Sequence, residues 1–138
     1  MQISSRFTVA LHIFTCVDAF KDEYKVTSDF LACSINTNPV IVRRLLTKLK
    51  KAGLIKVARG PLSEISFLDV YEAIETENKA DLFRFHESPN PECPVGRNIH
   101  NLLDGKLVAI QTAMENEMRK YTIADLSYEL HELLKEQA

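Results

Sequence analysis

The stretch TSDFLACSINTNPVIVRRLLTKLKKAG, Thr27 to Gly53, decides the fold. Asn38-Pro39 is a helix-start signal: a side chain able to cap, then a ring whose missing N–H falls where a helix leaves N–H groups unpaired. The spacing predicts a helix from there to Ala52, closed by Gly53. At about 100° per residue, Val42, Leu45, Leu46 and Leu49 share one side, and Val40, Arg43, Arg44, Thr47, Lys48 and Lys51 share the other. One side packs and the opposite side is basic. Upstream, Thr27 caps a short helix that carries Asp29 in its first turn and ends near Ile35. Asn36-Thr37 is the turn. This is the pattern of a helix-turn-helix, in which the second helix enters a DNA groove. Leu54 to Arg59 alternates and reads as a short strand opening a wing, broken by Gly60-Pro61.

The flanks extend a mainly helical plan. A helix capped by Ser4 or Ser5 runs to about Phe20, with Phe7, Leu11, Phe14 and Val17 at helical spacing. Phe67 to Glu75 forms a fourth helix behind Ser66. Residues 76–96 are irregular, and the prolines of Ser88-Pro89-Asn90-Pro91-Glu92-Cys93-Pro94-Val95-Gly96 argue against regular helix there. A long helix follows from about Arg97 to Lys120, roughly 36 Å. A last helix opens at Thr122 with Asp125 three residues on, a capping-box spacing. The expected organisation is a winged helix-turn-helix domain over 1–75, a loop over 76–96 carrying Cys93, and a dimerisation helix with a terminal helix over 97–138.

Charge is divided along the chain. Its 138 residues carry a net −2. Residues 1–60 hold ten Lys and Arg against four Asp and Glu, net +6, and the remainder is net −8. From Asn38 to Arg59 there are seven bases and no acid. A basic block on a near-neutral protein suits a localised polyanion site, with nucleic acid the commonest polyanion. A solvated helix face is the alternative. The apolar fraction of 46% excludes global disorder. No apolar run approaches the ~20 residues of a membrane span. The apolar stretch from Phe7 to Val17 lacks a small-residue cleavage site and reads as a buried helix. Three widely spaced cysteines, Cys16, Cys33 and Cys93, argue against a disulfide framework and for a cytoplasmic setting.

The chemistry follows from these placements. The N-terminal half of the basic-faced helix offers Asn38, Pro39, Val40, Arg43 and Arg44 to base edges. Val40 suits a thymine methyl, and an arginine suits guanine O6 and N7. Thr47, Lys48 and Lys51 lie toward phosphates, as do Ser28 and Arg59. On the long helix Ile99, Leu102, Leu103, Ile110 and Met114 make a stripe too apolar for a solvated arm, which points to a dimer. Cys93 stands just before a helix N-terminus, where a thiolate is favoured, with Arg97 near. It is either a sensor of oxidants or electrophiles or a structural residue. Cys16 and Cys33 are expected in the core. His86, Cys93 and His100 do not have zinc spacing, so no metal site is expected. No catalytic motif is recognisable.

Ser5-Arg6, Asn38-Pro39-Val40 through Arg43-Arg44-Leu45-Leu46 to Ala52-Gly53-Leu54, and Arg59-Gly60 together resemble the Rrf2 family of bacterial winged-helix transcription regulators. Ile65 to Ile74 is similar to the family's segment after the wing. His86, the stretch Pro89 to Gly96 and Asn98-Ile99 are similar to its YwnA-like subgroup. The resemblance implies a homodimer whose long helices cross and whose two winged domains read a near-palindromic operator in double-stranded DNA, with Arg6 joining the DNA-binding set. Two departures stand out. Iron–sulfur members place three cysteines in the loop before the long helix, whereas this chain has Cys93 alone, so no cluster is expected. Gly60 runs directly into Pro61-Leu62-Ser63-Glu64, so either the wing hairpin is short in this chain or the sequence here lacks the residues of its tip. The expected function is a cytoplasmic, dimeric DNA-binding repressor, not an enzyme, responding to an oxidant or a small molecule. The alternatives are a thiol- or metal-dependent redox enzyme centred on Cys93, and a module whose basic helix binds an acidic protein.

Overall fold

A computed structural model describes residues 5–22, 25–55, 64–75 and 88–138. Six helices make up the described chain: α1 (Ser5–Phe20), α2 (Ser28–Ile35), α3 (Pro39–Lys51), α4 (Phe67–Ile74), α5 (Pro94–Arg119) and α6 (Ile123–Gln137). α1 is the hub. It packs against α2, α4 and α6, while α3 packs on α2 and α4, and α5 on α4. A helix with neighbours on three sides needs apolar residues around most of its circumference. Accordingly Ala10, Ile13, Phe14 and Cys16 are buried, and Phe7, Leu11 and Val17 pack partly buried against the same core. Ile13, Leu31, Val42, Leu45, Leu49, Val70, Ile74 and Ile123 form its dry centre. Phe7 meets Phe67 and Tyr71 edge-on at 6.3 and 5.8 Å, which fixes α1 on α4. Phe20 meets Phe30 at 5.4 Å and does the same for α1 and α2.

Two helix starts are tied together. Ser66 and Thr122 form an isolated antiparallel bridge, with Phe67 N donating to Tyr121 O at 2.9 Å and Ile123 N to Ile65 O at 3.0 Å. Each is also the N-cap of a capping box, Ser66 with Asp69 and Thr122 with Asp125. The bridge sets α6 against the end of the core that α4 closes.

Three expectations are revised. The long helix begins at Pro94, not near Arg97. Proline costs nothing at the first helical position, because its missing N–H has no intrahelical partner there. Cys33 is exposed, because α2 buries only Leu31 and Ala32. Leu54 and Ile55, placed at the start of a strand, form a bend packed partly buried against the core. The rest of the expected strand and wing, with Arg59, lies outside the described residues, as does His86. Among the described residues, no helix is long and apolar enough to cross a membrane.

Candidate nucleic-acid interface

The local sequence builds the helix-turn-helix residue by residue. Thr27 Oγ1 accepts from Phe30 N at 3.1 Å and opens α2. Asn36 ends it in the left-handed region, φ 63°, a conformation asparagine tolerates better than most residues. Thr37 N donates to Ala32 O at 3.0 Å, completing the C-terminal closure. Asn38 Oδ1 then accepts from Val40 N at 2.9 Å, and Pro39 takes the first helical position. α3 turns Val42, Leu45 and Leu49 into the core and ends at Lys51, with Ala52 as C-cap and Gly53 beyond it at φ 75°. Leu46 is half-buried at the edge of that face.

The opposite face is open. Asn38, Val40, Arg43, Arg44, Thr47 and Lys51 are exposed, Pro39 is half-buried, and Lys48 is half-buried beside them. Val40 is 45% exposed and Ile41 41% exposed, so two apolar side chains stand among the bases at the leading end. Ile41 was not among the residues expected there. At about 100° per residue it lies between the two faces, and packing leaves it open. α3 has no acid in its first turn and carries Lys48, Lys50 and Lys51 in its last. Its N-terminus therefore adds the helix dipole's positive end to the leading edge of a basic face.

Several residues of the set have partners within the chain. Arg43 Nε donates to Ser28 Oγ at 3.3 Å, and Arg43 Nη2 lies 3.5 Å from Asp29 Oδ1. Ser28 and Asp29 are thus both brought against α3. Thr47 Oγ1 donates back to Arg43 O at 2.9 Å. Arg6 lies on α1 and reaches Glu75, at the end of α4, at 3.9 Å. That pair sits outside the α2–α3 unit.

Cys93 is exposed and caps α5 with its backbone. The backbone N–H groups of Gly96 and Val95, in the first turn of α5, favour its thiolate and lower its pKa from the ordinary thiol value, although its side chain makes no capping hydrogen bond. Asn90 shapes the approach: its Oδ1 accepts from Glu92 N at 3.0 Å and its carbonyl from Cys93 N at 3.2 Å. A methyl group built on Gly96 would fall 2.6 Å from Asn90 O, so the loop lies directly on this glycine. His100 Nδ1 pairs with Asp104 one turn on at 3.2 Å.

On α5, Ile99, Leu103 and Met114 are half-buried, while Leu102 and Ile110 are 51% and 52% exposed. No residue of the helix is fully buried.

A two-faced helix presented behind a short helix and a tight turn defines a helix-turn-helix regulator. The comparisons agree. The profile of the Rrf2 family, described as iron-dependent transcriptional regulators, matches residues 3–129. YwnA of Bacillus subtilis (strain 168), named as an HTH-type transcriptional regulator, is 41% identical over 132 residues, covering 90% of this chain and 96% of its own. A solved structure described as a DNA-binding protein is 35% identical, covering 88% of this chain and 98% of its own, with a TM-score of 0.69. A transcriptional regulator from Lactobacillus plantarum is 25% identical over 98% of both chains, with a TM-score of 0.74. The chain belongs to the Rrf2 family and is a DNA-binding transcriptional regulator. The family description names iron, but the donors present do not fit a cluster in the loop before α5. The sequence places Cys93 alone there, and iron–sulfur clusters are held by several thiolates. Among the described residues, no group of three or more His, Cys, Asp and Glu side chains is placed to share a metal ion.

Proposed function

We propose that this chain is a cytoplasmic homodimeric repressor that reads a near-palindromic operator with α3 in the major groove. The observation carrying this reading is the division of α3: Val42, Leu45 and Leu49 buried, and Val40, Arg43, Arg44, Thr47 and Lys51 on its open side. Arg44 and Arg43 supply guanine contacts, Val40 meets a thymine methyl, and Thr47, Lys48 and Lys51 hold phosphates. Arg6, Asn38, Pro39 and Ser28 support the docking edge, and Arg59 extends it from the wing. α5 joins two copies through Ile99, Leu102, Leu103, Ile110 and Met114. A helix in which Leu102 and Ile110 stay half exposed fits a partner helix better than water. The division into 1–75, 76–96 and 97–138 follows these roles.

Cys93 is the responsive residue. Its thiol is exposed and faces backbone N–H groups that favour the thiolate. Oxidation or alkylation there adds bulk at the start of the dimer helix and turns the two reading heads out of step with successive grooves. No iron–sulfur cluster and no enzymatic step enters this reading. The test is to sequence the genomic fragments the purified protein retains and measure binding to the enriched duplex across salt. A shared two-fold motif and a steep fall in affinity with salt are expected. Retention of fragments without a common motif would refute the reading.

A further inference from the structure

Asp29 is the single acid between Glu23 and Glu64, a stretch otherwise purely basic in its charged residues. An acid beside a surface meant for phosphate is unfavourable unless it serves something else there. Its carboxylate lies 3.5 Å from Arg43 Nη2, and the neighbouring Ser28 Oγ accepts from Arg43 Nε at 3.3 Å. Both groups engage the same edge of the guanidinium, the side formed by Nε and Nη2. Of the five N–H donors of arginine, two are used. The two on Nη1 and the second on Nη2 remain, and one from each nitrogen makes the end-on pair that fits guanine O6 and N7.

We propose that Ser28 and Asp29 are positioning residues that hold Arg43 as an end-on guanine reader, with Asp29 setting specificity. This rests on the DNA-binding reading above. In the free protein the pair is weak, since the side chains of Arg43 and Asp29 are 57% and 75% exposed. Docking removes water from around both and strengthens the contact. Asp29 then fixes the fork against guanine, so that discrimination comes from the orientation of the bound arginine.

The experiment compares two duplexes of equal length, the one most enriched by the parent chain and its scrambled version, by fluorescence anisotropy. Asp29→Ala should lower the affinity ratio between them by about tenfold, with affinity for scrambled DNA unchanged or raised. Asp29→Asn, which keeps an oxygen acceptor but no charge for the α2 dipole, should retain most of the orientation and so most of the ratio. In the Arg43→Ala background, Asp29→Ala should have no further effect on the ratio. A parent chain that prefers no duplex would overturn the DNA-binding reading itself. Equal loss on both duplexes in Asp29→Ala, loss of the ratio in Asp29→Asn, or an undiminished effect without Arg43 would overturn the positioning role alone.

Discussion

Ser66 and Thr122 stand side by side in an antiparallel bridge, and each at the same time caps the helix that follows it. Two capping boxes are therefore joined, so the start of α4 and the start of α6 are ordered together. Thr122→Ala should cost about 1 kcal/mol of stability, as should Ser66→Ala. Because the caps are neighbours, the double variant should depart from the sum of the two. Urea unfolding at one fixed protein concentration measures this, and an unchanged midpoint for Thr122→Ala would count against the cap.

Gly96→Ala should destabilise, against the ordinary trend in a helix, where alanine is the better former by about 1 kcal/mol. The added methyl would meet the Asn90 carbonyl at 2.6 Å, which is backbone and must move as a unit. A loss of about 1–3 kcal/mol is expected from such overpacking. A raised thermal midpoint would show that the loop does not lie on the helix as described.

Ile110→Glu should yield monomers. The residue is half exposed on a helix with no fully buried position, so the change costs little within one chain and much at an apolar helix–helix contact. Sedimentation at micromolar concentration should show a dimer for the parent and a monomer for the variant. A monomeric parent would contradict the proposed assembly.

Cys93 should alkylate with a half-maximal rate at a pH below that of an ordinary thiol. The sign follows from its surroundings: N–H groups from Gly96 and Val95 stabilise the charged form, so the pKa falls and more thiolate is present at neutral pH. Alkylation by iodoacetamide, followed by mass spectrometry across pH, checks this. Treatment with peroxide or diamide should then weaken operator binding by the parent and spare Cys93→Ser. Equal losses in both proteins would remove this thiol from the response.

The parts of the fold read most directly from sequence are those set by neighbouring residues. Asn38-Pro39 announces α3 because capping and a fixed φ act within a few residues, and the distances bear this out. The spacing of Val42, Leu45 and Leu49 likewise marks the face that turns inward. The start of α5 was obscured because Pro94 and Gly96 are breakers inside a helix and harmless or useful at its first turn. Cys33 was misplaced because α2 is apolar along most of its length, and only its crossing with α1 and α3 decides which side is covered. In the sequence Asp29 reads as a first-turn acid of α2, and the Asp29–Arg43 pair is not legible there. Its partner depends on how α2 and α3 cross, which no local pattern contains.

The central claim is that the open face of α3 reads DNA. The most direct test is the affinity of the Arg43→Ala, Arg44→Ala double variant for the duplex most enriched by the parent chain, measured at several salt concentrations. Both side chains are exposed, and Arg44 makes no hydrogen bond or ion pair among the described residues, so the fold should be unaffected. The account predicts a loss of at least about tenfold at every salt concentration, with affinity brought close to that for scrambled DNA. Binding of the double variant with the parent's affinity and salt slope would contradict it.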